Sequence, residues 1–201
     1  MHPSFTTQTL SFLRSLKRNN NREWFRGRKD EYELHVRAPM VAVIERLAVD
    51  FGRFAPELDA SPNRCIYRIY RDTRFSEDKT PLKTHVAASF RWRGLPKHRG
   101  AGLYFEVTPG WVWMGGGFYA PETADLARIR QHISDTHPEL DRLTRAPAFR
   151  RTFQALEGEQ LTRIPRGFAK DDAAGAYLKY RNFLAGREFP LQAHEFLFQR
   201  L

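Results

Sequence analysis

The sequence predicts an α+β fold: one domain over residues 1–201, with a mainly antiparallel sheet flanked by N-terminal and C-terminal helices. Three observations carry this expectation. Apolar residues recur at helical spacing in the first 51 residues and again from 121, whereas residues 64–118 alternate with a period of two. The strand candidates follow one another over short links, which suits antiparallel pairing, because a parallel pair needs a long crossover. The order helices, strands, helices is that of an α+β chain. At 201 residues, 41% hydrophobic and 28% charged, the chain has the material for one packed core and none of the composition of a disordered or membrane-spanning protein.

Residues 9–17 place Leu10, Phe12, Leu13 and Leu16 on one helical face, and the run Asn19, Asn20, Asn21 then reads as a turn. Asn21 suits an N-cap for a helix opening Arg22-Glu23-Trp24-Phe25, with Glu23 near its positive end. Pro39 lacks a backbone donor, so it should divide this charged helix from the apolar one carrying Met40, Val43, Ile44, Leu47 and Phe51, as two helices or as one kinked helix. Strands are expected at 64–71, 85–92, 103–107 and 111–118, with Thr108-Pro109-Gly110 as a turn. Pro121 then opens a helix with Leu126, Ile129 and Ile133 on one face, while Pro138, Pro147 and Pro165 punctuate shorter pieces. A last helix is expected over 171–184, packing Tyr177, Leu178 and Leu184.

Lys plus Arg number 33 against 23 Asp plus Glu, a formal charge of +10, which favours anionic partners without naming one. The single cysteine, Cys65, excludes an internal disulfide and reads as a small buried hydrophobe, so a reducing cytoplasm is the expected location. Polar residues interrupt the N-terminus too often for a secretory signal. The acid-poor start resembles a transit peptide in composition but leads directly into helix signals. No apolar run reaches transmembrane length, so no membrane partner is expected.

Chemistry concentrates in Arg-Ile-Tyr-Arg-Asp-Thr-Arg-Phe-Ser-Glu-Asp-Lys-Thr-Pro-Leu-Lys-Thr-His, residues 68–85. The wider window 64–99 holds ten cations and three acids, hence +7 of the total +10. Guanidinium groups gathered on a loop grip a phosphate or carboxylate through paired, charge-assisted hydrogen bonds. Arg68, Arg71, Arg74, Lys79 and Lys83 are therefore the candidate ligand-binding residues. Asp72, Asp78 and His85 are the candidate proton-transfer groups, and the two aspartates also have the oxygen chemistry of magnesium ligands. The competing reading is structural: the arginines and Lys79 pair with Asp72, Glu77 and Asp78 to hold the connection, and His85 only packs.

These residues also carry a resemblance. The 68–85 string, Asn-Asn-Asn-Arg-Glu-Trp-Phe at 19–25, Gly-Gly-Gly-Phe-Tyr-x-Pro at 115–121 and Ile-Pro-Arg-Gly-Phe at 164–168 resemble the domain of unknown function 2461 family over residues 12–180. The resemblance implies a single-domain soluble protein of bacterial or fungal type and brings no catalytic residue with it. Leu82 stands where that family usually has tyrosine, so it is expected to pack rather than to supply a phenol. Such proteins usually continue into another helix after a segment like His194-Glu-Phe-Leu-Phe, so a terminal element is expected to be absent or altered.

Other motifs point less far. Gly115, Gly116 and Gly117 permit a bulge or a close backbone approach, but no Walker or dinucleotide pattern accompanies them. His132 and His137 lack the spacing of a zinc helix, so no metal site and no cofactor is assigned. Trp111 and Trp113 share one sheet face and are expected to be buried under helices. The first functional expectation is thus a domain binding an anionic small molecule at 68–85, with enzymatic activity left open. The alternatives are a nucleic-acid module using Arg91-Trp92-Arg93 with Lys97, His98 and Arg99, or a non-catalytic interaction protein. Oligomeric state is not legible.

Overall fold

The computed structural model describes residues 4–96 and 99–191. Lys97 and His98 of the basic stretch, and the segment from His194, lie outside the described residues. The architecture is α+β, with an open antiparallel sheet of five strands in the order β1-β2-β3-β4-β5. The strands are β1 (Leu58–Asp59), β2 (Val86–Trp92), β3 (Gly102–Val107), β4 (Trp111–Phe118) and β5 (Phe183–Pro190). The described residues gather into two compact units, one of residues 4–93, 104–114 and 188–191, the other of 94–96, 99–103 and 115–187.

In the first unit, α1 (Thr7–Arg18) buries Phe12, Leu13 and Leu16 at the expected spacing. Asn21 caps α2 (Arg22–Arg26), accepting from the Trp24 amide at 2.8 Å. The helix after it is shorter than expected. A new one begins at α3 (Lys29–Tyr32), passes through a π turn at Glu33–Arg37 and continues as α4 (Ala38–Phe54). Pro39 causes no break, because it falls in the first turn of α4, where its missing donor is tolerated. The carbonyl of His35, four residues before Pro39, instead accepts from the hydroxyl of Thr9, which is wholly buried. One buried threonine thereby satisfies the acceptor that the proline would leave without an intrahelical partner.

The core face of the sheet follows strict alternation. Val86, Ala88 and Phe90 of β2, Phe105 and Val107 of β3, and Val112 of β4 are buried. Phe51 of α4 meets Phe90 edge-on at 4.9 Å between centroids, placing α4 on this face. Val112, not the tryptophans, faces inward; Trp111 and Trp113 lie half-buried on the opposite face. The expectation that helices cover them is corrected by parity: with Val112 in the core, its neighbours must point away.

The strand expected at 64–71 forms only in part. Pro62 starts a helical turn, α5 (Pro62–Cys65), and the chain then runs extended. It bridges Ile66 to Ala88 and Tyr70 to Leu82, both antiparallel, with the Lys83 amide bonded to the Ile69 carbonyl at 2.8 Å. The two bridges differ in register, so no continuous ladder forms. Cys65 therefore closes a helical turn rather than sitting in a strand. It is buried, its thiol is pushed up to about 11 mainly by that burial, and its Sγ lies 3.1 Å from the Asp59 carbonyl.

In the second unit, α6 (Thr123–Arg145) bends at Thr136, just before Pro138, and Pro121 stands outside the helix, one residue before its Glu122 cap. A short α7 (Pro147–Phe153) follows. Ile133, Ala174 and Leu178 form the buried cluster, with Ile129, Ile164 and Phe183 packed on it. The helix expected over 171–184 shrinks to α8 (Gly175–Leu178), and the chain turns into β5, which was not anticipated. Leu184 exchanges both backbone bonds with Glu157, at 2.7 and 2.9 Å, and this distant pairing overrides its helical spacing from Tyr177.

Two of the three glycines, Gly116 and Gly117, serve strand packing in this unit. A Cβ on Gly116 would meet the Gly102 carbonyl at 2.9 Å, and one on Gly117, at φ +139°, would meet the Phe183 carbonyl at 2.0 Å. The close backbone approach is thus to the neighbouring strands.

Candidate functional site

Within residues 71–80 both aspartates are paired with arginines of the same segment. Arg74 grips Asp72 through Nε at 3.0 Å and Nη2 at 2.8 Å. The Arg71 guanidinium pairs with Asp78, donates to Thr80 Oγ1 at 2.7 Å and reaches Ser76 Oγ at 3.3 Å. Lys79 donates to the Thr73 carbonyl at 3.1 Å, and Asp78 accepts from the Thr80 amide at 2.9 Å. Hydrogen bonds hold both carboxylates well below the usual range, at about 2: Asp72 chiefly through the Arg74 side chain, Asp78 chiefly through the Thr80 amide and then Arg71. Such pinned, exposed carboxylates are poor proton acceptors near neutral pH. Arg68 is exposed, and its charge adds to the depression at Asp72.

Leu82, buried as expected, ends this loop. Its amide and carbonyl are both held by the side chain of Asn20, at 3.0 and 2.9 Å, so Asn20 acts as a two-bonded strand neighbour. The triple asparagine therefore does two jobs: Asn21 caps a helix, and Asn20 anchors the exit of the basic segment.

Beyond Leu82 the chain reaches the outward sheet face, where a different constellation lies within the first unit. His85, just before β2, has Nε2 3.5 Å from Glu106 Oε2 of β3. The Tyr104 hydroxyl donates to the same Glu106 oxygen at 2.7 Å. Tyr104 and Glu106 alternate with buried Phe105 and Val107, so both project to the face opposite the core. Lys83 Nζ stands 4.8 Å over the Tyr67 ring, and Tyr67, Tyr104 and Trp113 follow one another at centroid distances of 6.1 and 5.8 Å.

Burial and charge set the protonation of this cluster. His85 is held below its usual value first by desolvation, with Glu106 opposing and Lys83 and Arg71 reinforcing the shift. Its imidazole is therefore neutral at pH 7. Tyr104 is raised far above an ordinary phenol by burial and by its bond to Glu106, so it stays a hydrogen-bond donor. The cluster thus joins a half-buried carboxylate, an imidazole and a fixed donor, with the charges of Lys83 and Arg71 acting on the imidazole.

Of the sequence-derived candidates, Lys83 and Arg71 act on His85, while Asp72 pairs with Arg74, Asp78 with Arg71, and Lys79 donates to the Thr73 carbonyl. Sequence reasoning missed Glu106, Tyr104 and Tyr67. The signal for the first two was the alternation of β3, which puts an acid and a phenol on one face. Arg91 and Arg93 donate to the carbonyls of Arg64, Pro56 and Leu58, and Arg99 pairs with Glu122 and Asp125. Among the described residues no group of His, Cys, Asp and Glu is placed to hold a metal ion. No helix among them is long and apolar enough to cross a membrane.

The chain belongs to the DUF2461 family of conserved hypothetical proteins, whose model matches residues 8–200. No curated protein and no solved structure matches it significantly.

Proposed function

We propose that the protein binds a small anion bearing a phosphate or carboxylate at the inner end of the 68–85 segment, beside His85, with Lys83 as its principal cationic contact. The observation that carries this reading is the half-buried His85–Glu106–Tyr104 cluster with Lys83 and Arg71 acting on its imidazole. Charges in a partly desolvated setting act on a guest more strongly than charges in water. The Arg74–Asp72 pair is largely exposed and already compensated, so it leaves less field for a guest. The nucleic-acid reading is weaker, because Arg91, Arg93 and Arg99 are engaged with carbonyls and acids of the chain itself.

An anion seated here stabilises imidazolium, so binding is coupled to proton uptake by His85. The test is an NMR titration of the His85 ring with and without inorganic phosphate, together with calorimetry on the Lys83→Ala variant. Phosphate should raise the His85 pKa, and loss of the Lys83 charge should weaken phosphate binding by about tenfold, the equivalent of ~1.4 kcal/mol. A His85 titration indifferent to phosphate sinks the reading.

A further inference from the structure

We propose, building on that reading, that the anion recognised at this site is carried on a flat aromatic or heteroaromatic ring, and that Tyr67, Tyr104 and Trp113 form the platform on which the ring lies. The three side chains come from the extended segment after α5, from β3 and from β4, and none belongs to the core face. Neighbouring rings meet at 66° and 57°, so they present a stepped row of edges and faces. Such tilted contacts are favourable geometries for aromatic groups, and a further ring can join them.

The platform is tied to the polar groups by two shared residues. Tyr67 lies under Lys83 Nζ, so the cation already rests on the first ring of the row. Tyr104 is locked in orientation because its hydroxyl is bound to Glu106, the same carboxylate that stands beside His85. Ala87, whose carbonyl accepts from the Tyr67 amide at 2.9 Å, ties the first ring of the row to β2.

Charge complementarity selects the occupant. A cation at one end of an aromatic row suits a ligand whose anionic group is joined to a ring directly or through one or two bonds. Each ring–aromatic contact is sequence-tolerant and substantial in comparable stacking sites, whereas an aliphatic group of equal size lacks the π face. The wholly buried face of Val112 and Phe105 is filled by the protein and offers no such surface.

The test compares three probes on the unaltered protein by calorimetry: phenyl phosphate, cyclohexyl phosphate and inorganic phosphate. Phenyl phosphate should bind about tenfold more tightly than either of the others. In the Trp113→Leu variant the preference for phenyl over cyclohexyl phosphate should shrink while inorganic phosphate binding is retained. Equal binding of phenyl and cyclohexyl phosphate, with inorganic phosphate still bound, overturns the ring inference and leaves the anion site standing. Failure of all three probes removes the anion site and the ring inference with it. The three-probe comparison needs no variant, so a substitution that unfolds the domain does not decide the outcome.

Discussion

The exposed loop at 72–80 and the outward sheet face around His85 hold similar chemical groups and differ in what those groups are free to do. In the loop, both aspartates meet a base within a few residues: Asp72 with Arg74, Asp78 with Arg71, the latter also accepting from the Thr80 amide. On the sheet face, Glu106 meets His85 from 21 residues away in sequence, and both are partly withdrawn from water, at 19% and 32% exposure. Local pairing in water compensates both aspartates where they stand. Long-range pairing in a half-buried setting shifts the protonation of the groups it joins.

The largest effect tests the anchor that both regions share. Asn20→Ala removes both hydrogen bonds to the Leu82 backbone, partly buried, and should cost about 2–4 kcal/mol, read as a lowered urea midpoint with unchanged slope. A loss below about 0.5 kcal/mol would show that the segment does not depend on this anchor.

Next is Tyr104→Phe, which takes the donor from a half-buried carboxylate. A destabilisation of about 1–2 kcal/mol is expected, accompanied by a changed His85 titration. An unaltered His85 pKa would separate the phenol from the imidazole and break the cluster.

The pH dependence distinguishes the two regions directly. His85 is depressed in the folded state, so the unfolded chain binds its proton more readily; the associated stability is present above pH 6.5 and is lost as pH falls through the folded value. Asp72 and Asp78 contribute fully above 3.8 and lose that contribution only as pH falls through about 2. Thermal melts below pH 6.5 should therefore show a decline that the His85→Gln variant lacks, while Asp72→Asn follows the parent until strongly acidic conditions. The smallest effect is expected from Arg74→Ala, whose exposed pair should leave the unfolding midpoint unchanged and only speed amide exchange near Thr73. A marked drop in the midpoint would mean that the loop bears on the fold more than its exposure implies.

Legibility followed sequence distance. The Asn21 cap, the 108–110 turn and the strand Trp111–Phe118 were readable because neighbouring residues and simple periodicity determine them. Strand β5 was not, because Leu184 stands at helical spacing from Tyr177 and is drawn into the sheet by Glu157. At the site, Lys83 and His85 were visible within their motif, whereas Glu106 and Tyr104 come from the next strand and carry no local mark of their role.

By itself the sequence determined the α+β class, the family and the concentration of charge at 68–85, all properties of residues close together along the chain. The tertiary structure decided which charges are spent within the loop and which stand beside His85. Desolvation and the pairing of distant strands are what turn an ordinary histidine, glutamate and tyrosine into one responsive group, and neither exists until the sheet has formed.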